Sequence, residues 1–140
     1  MKAERKKQIK ELIALFSEYI RKKAMIAVGG CERCGALKDS WKALQCAHCH
    51  DARIHATKFN ELNAAGVCGG CHTFLDSHPT EMLAFFRARM TLVEWDALAI
   101  IAGMSSRNKR PLDYSLTKLY LKGRLNEVEQ LAPEQPFVIK

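Results

Sequence analysis

The cysteines and histidines of this chain are confined to one stretch. All six cysteines and all five histidines of its 140 residues lie between positions 31 and 78. Three pairs have the Cys-x-x-Cys spacing: Cys31/Cys34, Cys46/Cys49 and Cys68/Cys71. Two such pairs brought together by folding can supply the four tetrahedral thiolate ligands of a structural zinc ion. Any metal chemistry is therefore expected in this stretch.

The two outer pairs are predicted to bind the zinc. Each has glycine beside it, Gly35 in one case and Gly69-Gly70 in the other, which is typical of a tight zinc knuckle. Two alternatives stay open: Cys46 and Cys49 form half of the zinc site, or one cysteine of a pair is an ordinary buried thiol. The start of the chain lacks a secretory signal, so a reducing cytoplasm is expected, where metal ligands are more common than disulfides.

A haem protein is a remote alternative. Cys46 to His50 and Cys68 to His72 both contain the Cys-x-x-Cys-His pattern of covalent haem attachment. Haem attachment of this kind implies export, which the charged N-terminus does not support. It would also leave Cys31 and Cys34 without a partner pair. A two-haem cytochrome is therefore the least favoured interpretation.

The elements that must position these residues are mostly helical. Residues 3–28 carry apolar side chains at helical spacing, and Gly29-Gly30 follows as a stop. Short strands are predicted at 44–48 and 64–67, on either side of a loop over 49–63. Helices are predicted over 71–77, 81–90, 91–102 and 115–131, where Thr91 and Glu94 form a capping box, Gly103 is a stop and Gly123 is a possible break. The pattern predicts a mostly α-helical α+β fold.

The formal net charge of +7 comes mainly from the two ends of the chain. A basic surface suits nucleic acid, although it also suits an anionic membrane or solubility alone. No segment is long and apolar enough to suggest a membrane protein. The residues predicted to bind DNA are Lys6, Lys7, Lys10, Arg53, Lys58, Arg107, Lys109 and Arg110. The first three lie on the basic face of the first helix, which also carries Arg21, Lys22 and Lys23.

Three residues of the central stretch follow a known order. His48 ends a predicted strand, Asn63 comes fifteen positions later, and His72 directly follows a cysteine knuckle that opens a helix. This order resembles the HNH, or ββα-metal, nuclease finger. The run from Gln45 through Thr57-Lys-Phe59 and Cys68-x-x-Cys71, over roughly residues 28–130, is similar to the NinG/Rap recombination endonucleases of lambdoid phages.

The resemblance implies a fold and an activity. The length of 140 residues predicts one domain over 1–140, with a basic helix at 1–30 and a helical scaffold and tail at 79–140. The resemblance implies that residues 31–78 between them form a zinc-stabilised HNH-like finger. The activity would be Mg²⁺- or Mn²⁺-dependent cleavage of branched DNA, such as D-loops and Holliday junctions, in the cytoplasm of a phage-infected bacterial host. His48 would be the general base, Asn63 would brace the loop, and His72 would lie at the catalytic ion. A homodimer would reach two strands symmetrically.

The sequence departs from the nuclease pattern at two positions. Ala47 stands where many HNH enzymes have a metal ligand, and His72 stands where phage relatives often have asparagine. The missing ligand could be replaced by His50, Asp51 or Cys46, and strand alternation puts Cys46 on the face of His48. Trp41 and Trp95 are expected in the core. The main alternative function is a non-catalytic zinc module that binds nucleic acid or protein.

Overall fold

The computed structural model describes residues 2–51, 53–105 and 112–131, and it is mostly helical with one small sheet, as the sequence predicts. The helices and strands are α1 (Lys2–Val28), β1 (Gln45–His48), α2 (His55–Lys58), β2 (Ala64–Val67), α3 (Gly69–Ser77), α4 (Pro79–Ala88), α5 (Leu92–Ser105) and α6 (Tyr114–Leu131). Two short 3-10 turns, Trp41–Ala43 and Glu61–Asn63, precede the strands.

Helix α1 supports both parts of the hydrophobic core. Its buried side chains Phe16 and Ile20 belong to a cluster that is completed by α6, through Leu121, Leu125 and Val128. Ala24, one turn further along α1, belongs to a second cluster, which includes Leu44, Val67, Leu75 and Phe86 together with Cys31, Cys49 and Cys71. The helix therefore holds the cysteine-rich region and the C-terminal helix on one scaffold.

The two strands form an antiparallel hairpin against α1. Their register runs from Gln45 opposite Val67 to His48 opposite Ala64. All four residues of β2 are buried, so this strand lies between α1 and the rest of the core. At Gly66 the approach is so close that a Cβ atom would lie 2.6 Å from the Cβ of Ala24. Glycine at this position lets the strand contact the helix backbone.

The C-terminal helices begin as predicted but do not all end as predicted. At the start of α5, Thr91 Oγ1 accepts from the Glu94 N–H and Glu94 Oε1 accepts from the Thr91 N–H, which is the predicted capping box. The predicted stop at Gly103 is wrong, because α5 continues to Ser105. Gly123 likewise interrupts nothing in α6. One glycine costs a helix only about 1 kcal/mol, which neighbouring residues can offset.

The loop over residues 49–63 is more ordered than the sequence suggests. It contains α2 and the turn Glu61–Asn63. A polar network fixes that turn: Tyr19 donates a short hydrogen bond to Glu61, and Arg124 of α6 donates to Glu61 at 2.6 Å. Across the described ranges, no helix combines the length and apolar character needed to cross a bilayer.

A pair of glycine substitutions tests this packing. Gly66→Ala would force its new methyl group against Ala24, so we expect the free energy of unfolding to fall by about 1–3 kcal/mol. Gly123→Ala has open space around the new methyl group and improves helix propensity, so we expect a gain of about 0.5–1 kcal/mol. Urea unfolding of both variants checks the signs. Equal stability of Gly66→Ala and the parent would contradict the close strand–helix contact.

Candidate metal centre and adjoining cleft

The structure brings four cysteines together. The Sγ atoms of Cys31, Cys34, Cys68 and Cys71 all lie within 4.8 Å of one another. The Sγ atoms of Cys34 and Cys68 are 3.9 Å apart. Four sulfurs that bind a zinc ion at about 2.3 Å lie about 3.8 Å apart at the corners of a tetrahedron. These are the two outer pairs predicted from the sequence, and their spacing fits a zinc ion.

Backbone amides point at the sulfurs of both knuckles. The Cys34 N–H donates to Cys31 Sγ at 3.4 Å, and the Cys71 N–H donates to Cys68 Sγ at 3.4 Å. Gly35 takes a φ of 75°, a left-handed conformation that turns the first knuckle and that other residues rarely adopt. Burial opposes ionisation of Cys31, but the backbone amides around it lower its pKa to about 7. Such amides stabilise thiolates, which are the form that binds metal.

Arg33 adds a charged contact to the cluster. Its Nη1 donates to Cys71 Sγ at 3.3 Å, while its guanidinium lies 4.0 Å from the centre of the Phe74 ring. Burial and the neighbouring thiols raise the pKa of Cys71 to about 12, and Arg33 acts against that rise. A bound cation would add to the effect of Arg33, because it favours the ionised form of every thiol it contacts.

The middle pair of cysteines stands apart from the cluster. Burial raises the pKa of Cys46 to about 12 and that of Cys49 to about 11, so both are neutral thiols near pH 7. Among the described residues, the four-cysteine cluster is the only group of three or more His, Cys, Asp or Glu side chains close enough to share a metal ion. The grouping favours the outer pairs over Cys46/Cys49, and it favours a metal site over haem attachment at Cys68 and Cys71.

A cleft of about 400 Å³ lies beside this centre. His48 and His72 both line it, so the structure brings together the two histidines that the sequence singled out. The other polar side chains of its wall are Ser17, Arg21, Gln45, Cys46 and Lys58, and its apolar wall is formed by Ile13, Phe16, Leu44 and Phe59. Two imidazoles and two cationic side chains therefore share one concave site.

His48 is held as a neutral base. Its Nε2 lies 3.2 Å from the backbone carbonyl oxygen of Lys58. A carbonyl can only accept a hydrogen bond, so Nε2 carries the proton and Nδ1 keeps its lone pair. The ring packs against Phe16 at 5.8 Å between centroids. Burial is the main reason that the pKa of His48 lies below its usual value of 6.5. The His48 ring is therefore neutral near pH 7, with its single proton on Nε2.

Asn63 braces the loop that carries this carbonyl. The side chain is fully buried, and its Oδ1 accepts from the His50 N–H at 2.7 Å. Its Nδ2 donates to the carbonyls of His50 and Thr57, at 3.2 and 3.1 Å. Lys58, whose carbonyl holds the His48 ring, directly follows Thr57. Asn63 therefore supports the position of His48 indirectly, through the backbone of the loop. This is the bracing part of the role that the sequence predicts.

His72 lies in the first turns of α3. Its Nδ1 is 2.6 Å from Oε1 of Gln45, and because an amide oxygen accepts, Nδ1 carries the proton in the neutral ring, which leaves the lone pair on Nε2. That Nε2 lies 3.7 Å from Oδ2 of Asp76, one helical turn further along. Sequence reasoning missed both partners. The spacing of four residues between His72 and Asp76 was the available signal for one of them.

The three candidate replacement ligands differ in position. Cys46 lines the cleft as a neutral thiol, whereas His50 and Asp51 are absent from the wall formed by the described residues. Asp51 is paired with Arg53 at 2.8 Å, and hydrogen bonds from Arg53 lower the pKa of Asp51 to about 2. The main-chain groups of His50 are bound to Asn63. Asp76 is likewise absent from that wall, but its Oδ2 lies 3.7 Å from His72 Nε2.

The predicted DNA-binding residues lie in different parts of the structure. Lys58 lies in the cleft, where burial lowers its pKa. Arg53 is exposed and paired with Asp51. Lys6, Lys7 and Lys10 are exposed on α1. Arg107, Lys109 and Arg110 lie outside the described residues. Arg21, which the sequence only grouped with the basic face of α1, lines the cleft.

Comparison of the chain with models of protein families, with curated proteins and with solved structures found no match.

Cysteine substitutions test the metal centre. We expect purified parent protein to contain about one zinc ion per chain, and Cys34→Ala to lose most of it because a tetrahedral site is left with three thiolates. Cys34 is exposed, so its removal costs little packing. Cys49→Ala is the matched control, since Cys49 is outside the cluster, and it should keep its zinc. Zinc retention by Cys34→Ala, or loss from Cys49→Ala, would show that the ligand set is different.

Asn63 substitutions test the brace. Asn63→Ala removes three hydrogen bonds from a buried site, so we expect the free energy of unfolding to fall by about 2–4 kcal/mol. Asn63→Asp should also be destabilised, because a carboxylate cannot donate to the two carbonyls. Asn126→Ala, at an exposed position of α6, should stay within about 0.5 kcal/mol of the parent. Parent-like urea unfolding of Asn63→Ala would refute the bracing role.

Proposed function

We propose that the chain is a metal-dependent DNA endonuclease of the HNH type, with His48 as its general base. The observation that carries the proposal is the cleft where His48, neutral and with Nδ1 unprotonated, lies beside His72 and two cationic side chains. Hydrolysis of a phosphodiester requires a base for water and positive charge for the phosphate oxygens. The described side chains of this cleft offer both.

His48 would take the proton from the attacking water. Its lowered pKa keeps the ring available as a base at neutral pH, and the Lys58 carbonyl fixes the tautomer that has Nδ1 free. When the ring accepts the proton at Nδ1, the positive imidazolium still donates to the Lys58 carbonyl. That contact becomes stronger when the donor is charged, so the same hydrogen bond orients the base and stabilises its protonated form.

His72 and Asp76 would hold the catalytic ion. An imidazole nitrogen with a free lone pair and a carboxylate oxygen 3.7 Å away are donor types that Mn²⁺ accepts, and the carboxylate also suits Mg²⁺. A divalent cation there would supply Lewis-acid stabilisation to the phosphate. Gln45 would keep the His72 ring in place through Nδ1. The four-cysteine cluster, with its soft thiolates, is the site for structural zinc.

Two cationic side chains of the cleft remain available to phosphate. Within the described ranges, neither Arg21 nor Lys58 has a carboxylate oxygen within ion-pair distance. A cation without an acidic partner in a concave site attracts anions strongly. These charges support DNA binding in the cleft. The choice of branched DNA, and of two chains acting together, rests on the resemblance to the NinG/Rap endonucleases.

A non-catalytic zinc module that binds nucleic acid or protein is the second candidate. It is favoured by one observation: the cysteine cluster has a full set of four ligands, whereas His72 has only Asp76 beside it as a second ligand. In that case, zinc and the basic surface would remain, and DNA would be bound without being cut. The two candidates therefore differ in cleavage and agree in zinc content.

Cleavage by variants separates these candidates. On a synthetic branched DNA with Mg²⁺ or Mn²⁺, His48→Ala should lose about 10²–10⁴-fold in rate, because the general base is gone. His78→Gln is the control: His78 is exposed and lies outside the cleft wall, so it should cut like the parent. Zinc content of each variant checks folding. Absence of cleavage by the parent, or full activity of zinc-loaded His48→Ala, would refute the nuclease.

The pH dependence should follow the same residue. The base works only when unprotonated, so the rate should rise with pH through the pKa of His48 and then stay level. Because that pKa is lowered, half of the maximal rate should come below pH 6.5. A rise centred above pH 7 would assign the base to another group.

A further inference from the structure

An aromatic and basic surface adjoins the cleft. Trp41 opens the 3-10 turn that leads into β1, and Ser40 caps this turn by accepting from the Lys42 N–H. The guanidinium of Arg21 lies 4.6 Å from the centre of the Trp41 ring, and the Lys42 ammonium lies 5.9 Å from it. Arg21 also lines the cleft. We call Arg21, Trp41 and Lys42 the Trp41 surface.

The Trp41 surface is continuous with the candidate catalytic site. Leu44 and Gln45 follow the turn directly, and both line the cleft. Trp41 itself is only half-buried and belongs to neither core cluster, contrary to the expectation that it lies in the core. Trp95, in contrast, does pack against the core. Trp41 is thus a large aromatic side chain that packs in neither core cluster and is surrounded instead by cationic side chains beside the cleft.

The charges of the Trp41 surface are not neutralised. Lys22, also near the ring, is paired with Glu18 and Glu129 at 3.1 and 2.8 Å. Arg21 donates from Nε to the Ser17 carbonyl at 3.1 Å, which leaves the terminal nitrogens as donors. Neither Arg21 nor Lys42 forms an ion pair with any acid of the described chain.

Helix α1 extends this charge beyond the cleft. Ile13 and Ser17 line the cleft together with Arg21, and their spacing of four residues places them on one helical face. Lys10 lies three residues before Ile13 and Lys6 four residues before Lys10, so both continue this face toward the start of the helix, and both are exposed. At 1.5 Å per residue, the line from Lys10 to Arg21 is about 17 Å long. Positive charge therefore lies at both ends of the stretch of α1 that lines the cleft.

We propose that the Trp41 surface binds an unpaired DNA strand next to the phosphate that enters the cleft, with a base stacked on the Trp41 indole. This inference rests on the proposed function for its choice of DNA. A basic groove combined with an aromatic platform is the arrangement that holds single strands. In a duplex, each base is already stacked on its neighbours and paired, so its face cannot reach an indole at the surface. The site thus selects DNA that is unpaired beside the cleavage position.

Tryptophan fluorescence tests the stacking directly. The chain has two tryptophans, so His48→Ala combined with Trp95→Phe leaves Trp41 as the only one and prevents cleavage. A short oligo(dT) should quench its emission in a saturable way. A blunt duplex of the same length should quench it much less at equal concentration. Unchanged emission at saturating oligo(dT), or equal quenching by the duplex, would overturn the proposal.

Binding measurements add matched variants. By fluorescence anisotropy of labelled oligo(dT), Trp41→Leu should weaken binding by about 5- to 100-fold, the range for stacking on one base, and Trp41→Phe should recover much of it. Lys42→Gln should weaken binding more than Lys122→Gln, which removes the same charge from an exposed position on α6. The binding result of a variant is interpreted only if its zinc content matches that of the parent protein. Parent-like affinity of Trp41→Leu would contradict the inference.

The two proposals fail in different ways. If zinc-loaded parent protein cuts no DNA, but oligo(dT) still quenches Trp41, the nuclease is wrong and the strand-binding site stands. If cleavage depends on His48, while neither quenching nor affinity depends on Trp41, the nuclease stands and the strand-binding site is wrong.

Discussion

The meeting of two cysteine knuckles is the constraint on which the candidate site depends. One knuckle follows α1 and the other joins β2 to α3, so a metal held by all four thiols would fix two distant segments of chain. Glu32, inside the first knuckle, strengthens the connection, because its N–H donates to the Gly66 carbonyl and its carboxylate accepts from the Gly66 N–H. Since His72 directly follows Cys71, the same junction determines where this histidine enters the cleft.

The opposite wall of the cleft depends on polar contacts. Asn63 ties the backbone at His50 to the backbone at Thr57, and the next carbonyl along the chain, from Lys58, holds the His48 ring. The Glu61 side chain is bound by Tyr19 and Arg124, so the turn before Asn63 is fixed from α1 and α6. Two histidines separated by a long loop thus keep their relative positions through the four-cysteine cluster on one side and a hydrogen-bonded loop on the other.

Local patterns predicted more of this molecule than long-range contacts did. The predicted bounds of β2, the extent of α1 and the capping box at Thr91 depend on residues near one another in sequence, and the structure confirms them. It also brings together the two cysteine pairs that were predicted to bind zinc. The contacts of His72 with Gln45, and of Arg21 with Trp41, join residues twenty or more positions apart. Spacing carries no information about such contacts. The predicted end of α5 at Gly103 was wrong for another reason: neighbouring residues offset the cost of one glycine, so the helix continues to Ser105.

The position of Ala47 explains why the proposed nuclease would need a metal ligand from another residue. Along β1, Cys46 and His48 line the cleft, and alternation sends the side chain between them to the other face. Ala47 is buried there, in the cluster that contains Val67 and Leu75. A carboxylate or imidazole at this position would enter an apolar core, at a large desolvation cost. A ligand from α3, as proposed for Asp76, avoids that cost, because it reaches His72 from an exposed helical surface.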